Sequence, residues 1–167
     1  MKSWSARSYC SRFTRATELT PSFTEAWFNR GSCYEKSKDI VHALADYDHV
    51  IALDARHAAA YYNRGSIRHA QKKFDDALGD YARAIELKPD DAAAYFKRGN
   101  VYMDLRELDQ AARDYSEAIR LNPSNAVALY NRSLVYAELG KRELATQDRS
   151  RAVALDPSLA KAPKRAL

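Results

Sequence analysis

Apolar residues recur along residues 24–159 at spacings of three and four, and the whole arrangement returns every 34 residues. The period divides this stretch without a gap into 24–57, 58–91, 92–125 and 126–159. With each unit numbered 1 to 34, position 4 is Trp27, Tyr61, Tyr95 and Leu129, and position 8 is Gly31, Gly65, Gly99 and Ser133. Position 11 is Tyr34, Arg68, Tyr102 and Tyr136. Positions 20, 24 and 27 bring Ala43, Ala77, Ala111 and Ala145, then Tyr47, Tyr81, Tyr115 and Arg149, then Val50, Ala84, Ala118 and Ala152. The first three positions share one helical face and the last three share another. Each unit therefore predicts two short amphipathic helices, A and B, of about three to four turns.

The small residues at positions 8 and 20 allow close helix approach, and the aromatics at 4 and 24 fill the space beside them. Proline at position 32 (Pro89, Pro123, Pro157) ends helix B, because the residue before proline avoids the α region. Asp90, Asp91, Ser124 and Asn125 then suit N-capping of the next helix A. One such hairpin cannot bury its apolar face alone, so stacking is required.

The ordered series of aromatic, Gly, Tyr, Ala, aromatic, Ala and Pro resembles the tetratricopeptide repeat family across 136 of 167 residues. The resemblance implies an all-α fold, a right-handed α-solenoid of tandem helix-turn-helix repeats. Ala55, Arg68, Ser133 and Arg149 depart from the pattern.

Residues 1–23 read in phase with the repeats, with Phe13 at position 24, Ala16 at 27, Leu19 at 30 and Pro21 at 32. They are expected to be the B helix of an incomplete unit that covers the apolar edge of the first full repeat, although Tyr9 stands where Ala is wanted. The competing reading is a mitochondrial transit peptide, from a Ser- and Arg-rich start with no acid before Glu18. At the other end, Gln147, Arg149 and Arg151 give the last B helix the polar face of a terminal repeat, and 160–167 is a short basic tail.

Hydrophobic residues make up 46% and charged residues 29%, which suits a folded protein, and no apolar run approaches a membrane span. The pI near 9.2 invites a nucleic-acid reading. Yet the net +5 is concentrated at the two ends, +3 each, which leaves −1 on residues 24–159. No basic stripe runs along one face, so nucleic-acid binding is not expected. Cys10 and Cys33 form no metal or redox motif; both are expected reduced in a cytoplasmic setting, with bridging open to such a near pair under oxidation.

Two charges recur in step. Arg30, Arg64, Arg98 and Arg132 occupy position 7, and Asp46, Asp80, Asp114 and Asp148 occupy position 23. Antiparallel helices place an early position on A near the middle of B. Four structural Arg–Asp pairs are expected, because a guanidinium fork bonds a carboxylate twice and fixes register. Binding of acidic ligands by these arginines is the competing reading.

The resemblance puts the A helices on a concave side, where a partner peptide would lie. Position 5 offers Phe28, Tyr62, Phe96 and Tyr130; position 6 offers Asn29, Asn63, Lys97 and Asn131. Ser66, Asn100 and His69 lie on the same face. Asparagines can bond the main chain of an extended peptide without reading its sequence, and rings supply apolar area. The row is similar to the asparagine ladder of the O-linked N-acetylglucosamine transferase repeats, with Lys97 breaking it. The plainer expectation is that the rings pack against the neighbouring A helix and the asparagines face water. The family's carboxylate clamp for acidic chaperone tails is not expected, because Phe28, Ser32, Asn63, Ala93 and Lys97 match only two of its five places.

His42, His49, His57 and His69 show no metal spacing, His42 and His49 are expected on a solvated B-helix face, and neither a nucleophile elbow nor a phosphate loop occurs. No enzyme, cofactor or metal is expected. The expected function is a protein-interaction module, a scaffold or adaptor that binds a partner's peptide or helix in its groove. The alternatives are a structural spacer or self-associating segment of a longer repeat protein, or a detached regulatory domain of an enzyme.

Overall fold

The computed structural model describes residues 6–161, and every regular element among them is helical. The chain divides after Leu87 into two compact units. The first unit holds α1 (Ala6–Leu19), α2 (Thr24–Lys36), α3 (Ile40–Leu53), α4 (Ala58–Ala70) and α5 (Phe74–Leu87). The second holds α6 (Ala92–Asp104), α7 (Leu108–Leu121), α8 (Ala126–Glu138), α9 (Arg142–Leu155) and a short 3-10 helix, Pro157–Lys161. Within each unit every helix packs on the next along the chain.

The A-to-B turn has one geometry throughout. Position 15 lies in the left-handed region in all four repeats: Lys38, Lys72, Arg106 and Gly140, with φ of 63°, 60°, 66° and 73°. Two residues' amides then bond back into the last turn of helix A, with Asp39, Lys73, Glu107 and Lys141 donating to the carbonyls of Tyr34, Arg68, Tyr102 and Tyr136. This six-to-one bond is the Schellman closure, which favours glycine at the left-handed residue. Only the fourth repeat has it.

Tyr47, Tyr81 and Tyr115 are fully buried at position 24, each removing about 150–250 Å² from water. Each packs under the glycine of its own helix A. A Cβ built on Gly31 or Gly99 would lie 3.0 Å from the tyrosine ring, and one on Gly65 would lie 3.1 Å from Asp80 Cβ. The fourth repeat changes both partners together. Ser133 replaces the glycine and Arg149 the tyrosine, so the added side chain meets no ring at that place. Ser133 is buried and donates to the Tyr130 carbonyl at 2.6 Å. Arg149, expected on a polar outer face, is half-buried.

α1 lies against α2. Its side chains are described from Cys10 onward, so Tyr9 at position 20 falls outside them. The expectation of reduced cysteines is corrected, because Cys10 and Cys33 are joined by a disulfide with Cα atoms 5.7 Å apart. The physical reason is repeat phase. Cys10 falls at position 21 and Cys33 at position 10, where the later hairpins set Leu44 against Ile67 and Ala112 against Val135 in the core. Two positions that share the core in the later hairpins are joined covalently here. Trp27 Nε1 also donates to the Pro21 carbonyl at 2.8 Å. His57, Asp91 and Asn125 cap their helices through Ala60, Ala93 and Ala128 amides, whereas Phe23 provides no side-chain cap to α2.

His49 is a second correction. It faces not solvent but Trp27, with ring centroids 3.9 Å apart and Nε2 buried without a hydrogen-bond partner. α3 turns it under the ring that starts helix A. His42 does stay exposed, 2.8 Å from the capping Asp39 carboxylate.

Candidate functional site

Position 7 of helix A faces position 23 of helix B in all four hairpins. Arg30, Arg64, Arg98 and Arg132 each donate from Nε and Nη2 to the two carboxylate oxygens of Asp46, Asp80, Asp114 and Asp148, at 2.6–3.0 Å. The aspartates are buried, 3–5% exposed, and the bidentate geometry satisfies each. Asp46 and Asp114 bond Arg30 and Arg98 and push their pKa values up, so both stay charged. The guanidiniums also lie over rings of helix A, as Arg30 does over Trp27 at 4.5 Å.

The surroundings of the pairs differ. Arg64 reaches Asp48 of α3 at 2.6 Å, and Arg68 donates to Asp80 at 2.8 Å, so two arginines and two aspartates interlock. Arg68, a departure from the tyrosine pattern, is thereby absorbed. Arg30 donates to Thr17 of α1, and Arg132 to Ser116 of α7. Within each unit these bonds tie the first, second and fourth hairpins to the helix before them.

The position 5 rings pack within their own hairpins, and two of them also reach the neighbouring A helix: Phe28 lies 4.7 Å from His57, the N-cap of α4, and Phe96 joins the core residues of α8. Phe28, Tyr62 and Phe96 lie 5.9 Å from Tyr47, Tyr81 and Tyr115 of their own B helices. In the fourth hairpin Arg149 stacks over Tyr130 at 4.5 Å instead, so the planar guanidinium takes the place of the missing ring.

Beside these rings the buried phenols send their hydroxyls to the A-helix side. Tyr47 donates to Glu35 Oε2 at 2.8 Å and accepts from Asn63 Nδ2 at 3.1 Å. Tyr81 donates to Ser66 Oγ at 3.1 Å. Tyr115 donates to Asn100 Oδ1 at 2.7 Å, lies 3.4 Å from Met103 Sδ, and Asn131 Nδ2 donates to the same Asn100 oxygen at 3.0 Å. Burial pushes the Tyr81 hydroxyl up to about 12, and burial and the Glu35 carboxylate push Tyr47 further, so both remain protonated donors near neutral pH.

Of the four position 6 side chains, Asn63 and Asn131 therefore spend a donor inward, Asn29 is exposed and Lys97 is half-buried. His69 packs near Phe74, ring centroids 5.9 Å apart. Glu35 shares the A-helix face through its position 12, and Tyr47, a core residue by its position 24 spacing, reaches that face through its hydroxyl.

Among the described residues no cluster of three His, Cys, Asp or Glu is placed to share a metal ion, and no helix is long and apolar enough to cross a membrane.

No curated protein sequence matches the chain. The TPR repeat family model matches residues 65–105 and 99–140, and the tetratricopeptide repeat model matches 24–57 and 126–159. Among solved structures, a crystal structure of MamA is 25% identical, covering 94% of this chain and 92% of that chain with a TM-score of 0.85. MamA 41-end from Desulfovibrio magneticus RS-1 is 19% identical, covering 93% and 88% with a TM-score of 0.84, which speaks for the fold alone. Phase, hairpin geometry and family models agree, and the chain is a member of the tetratricopeptide repeat family.

Proposed function

We propose that this chain is a protein-interaction module, a non-catalytic scaffold whose A-helix faces hold an extended peptide or helix of a partner protein. The observation that carries this reading is the recurrence, in three of the four repeats, of a position 5 ring beside polar side chains at positions 6 and 9, with Leu134 at position 9 of the fourth. Phe28 and Tyr62 stand with Asn29, Asn63 and Ser66; Phe96 and Tyr130 stand with Lys97, Asn100 and Asn131. Phe28, Tyr62 and Phe96, half-buried, supply apolar area already ordered by the tyrosine beneath, so little freedom is lost on binding, whereas Tyr130 is itself buried. The amides and hydroxyls supply hydrogen bonds to a main chain. In this reading the Arg–Asp pairs belong to the scaffold, four successive repeats span 24–159, and α1 serves as the B helix of an incomplete one.

Affinity capture with Tyr62→Leu plus Asn63→Ala tests it. Leucine keeps the packing on Tyr81, and Tyr47 keeps its bond to Glu35, so melting is expected to change by less than about 1 kcal/mol. Partner capture is expected to drop at least about tenfold. Capture unchanged by the pair, or lost only together with the fold, contradicts the groove.

A further inference from the structure

Glu35 is the one position 12 residue that is an acid; the corresponding places hold His69, Met103 and Ala137. Its carboxylate is half-buried on the A-helix face and receives a hydrogen bond from the buried Tyr47 hydroxyl. No Lys, Arg or His among the described residues comes within ion-pair distance of it, in a fold where all four position 23 carboxylates are paired. A partly desolvated carboxylate without a cation is costly, and a ligand that brings positive charge relieves the cost.

The orientation of Asn63 follows from the same phenol. The Tyr47 proton is committed to a carboxylate, which only accepts, so the phenol oxygen offers Asn63 a lone pair. Asn63 must therefore turn its NH₂ inward, as found at 3.1 Å, and its carbonyl is left unengaged. Bonded to one oxygen, the Glu35 carboxylate and the Asn63 amide lie within about 6 Å of each other. Phe28 packs on the same Tyr47 ring, and Tyr62 precedes Asn63 on α4. The place thus offers two acceptors, one of them ionised, beside two aromatic side chains. The second unit has no counterpart, because Tyr115 ends on the Asn100 amide and the Met103 thioether.

We propose that this place in the first unit binds a cationic side chain, lysine or arginine, of the partner peptide, with Glu35 as counter-ion, the Asn63 carbonyl as second acceptor, and Phe28 and Tyr62 flanking the alkyl stem. The inference rests on the peptide-groove reading and narrows it to a basic ligand. The chain's own net charge of +5 works against a basic peptide, so attraction has to be local.

The probe is a fluorescent twelve-residue peptide of alternating lysine and alanine, read by anisotropy at low salt. The controls are the same peptide with every lysine acetylated, and a glutamate–alanine peptide. Saturable binding of the lysine peptide is expected, with both controls at least about tenfold weaker. Glu35→Gln still accepts from Tyr47, so melting is expected to hold while affinity for the lysine peptide drops about tenfold. Glu86→Gln, on the exposed face of α5, is expected to leave affinity unchanged. Absence of saturable binding, acetylated peptide binding equally well, or full affinity in Glu35→Gln overturns the proposal. If Tyr62→Leu plus Asn63→Ala abolishes partner capture while Glu35→Gln does not, the groove stands and the cation site falls. If neither variant matters, both fall.

Discussion

The two units are built from the same hairpin but satisfy its buried polar groups differently. In the first, the phenols of Tyr47 and Tyr81 end on a carboxylate and a hydroxyl, and the Arg64–Asp80 pair is braced by Arg68 and Asp48. In the second, Tyr115 ends on an amide and a thioether, Arg98 and Asp114 bond each other, and the last hairpin replaces a buried ring with Arg149. A repeat fixes where a polar atom must be satisfied, and each hairpin is then free to choose the partner. The first unit spends that freedom on a carboxylate and a hydroxyl near the A-helix face, the second on an amide, a thioether and a guanidinium.

The largest expected effect breaks this comparison at the charge pairs. Arg98→Ala leaves Asp114 buried without its cation and is expected to cost ~3–5 kcal/mol in denaturant melts. Arg64→Ala leaves Asp80 bonded to Arg68 and is expected to cost clearly less, about 1–3 kcal/mol. Equal losses would show that the bracing of Asp80 contributes nothing.

A smaller effect concerns the paired change in the fourth hairpin. Arg149→Tyr puts a ring where Ser133 has a side chain, at a site where the other repeats leave only 3.0–3.2 Å to a glycine Cβ. The expected cost is about 1–3 kcal/mol from overpacking. Ser133→Gly in the same chain is expected to recover most of it. Additive losses in this cycle would mean that the two positions do not meet.

The smallest effect is in the A-to-B turn. Lys72→Gly places the residue that a left-handed φ of 60° favours and is expected to stabilise by up to about 1 kcal/mol. Gly140→Ala in the second unit is expected to lose a similar amount. Thermal melts of both variants read the sign directly.

The period of 34 made the hairpins, their faces and the lockstep of arginine with aspartate legible from residues alone, because recurring positions must recur in space. What stayed hidden were choices that period does not encode. Spacing put Asn63 and Asn131 on the A-helix face, but only the phenol hydroxyls beneath decide that each turns a donor inward. His49 had B-helix spacing like His42, yet its stacking depends on Trp27 across the hairpin. Closeness in sequence left bridging of Cys10 and Cys33 open but could not decide it; the phase of α1, which sets them at the positions of Leu44 and Ile67, does. The left-handed turn at Lys38, Lys72 and Arg106 carried no glycine to announce it.

That cysteine pair also gives the chain a mechanical asymmetry. Tension applied at its two ends is carried across the sulfur bridge, so the segment between residues 10 and 33 bears no load while the bridge lasts. Full extension falls short by roughly 70 Å, the contour of that shielded segment. A single molecule stretched before and after exposure to a dithiol should show that added length in the reduced form alone.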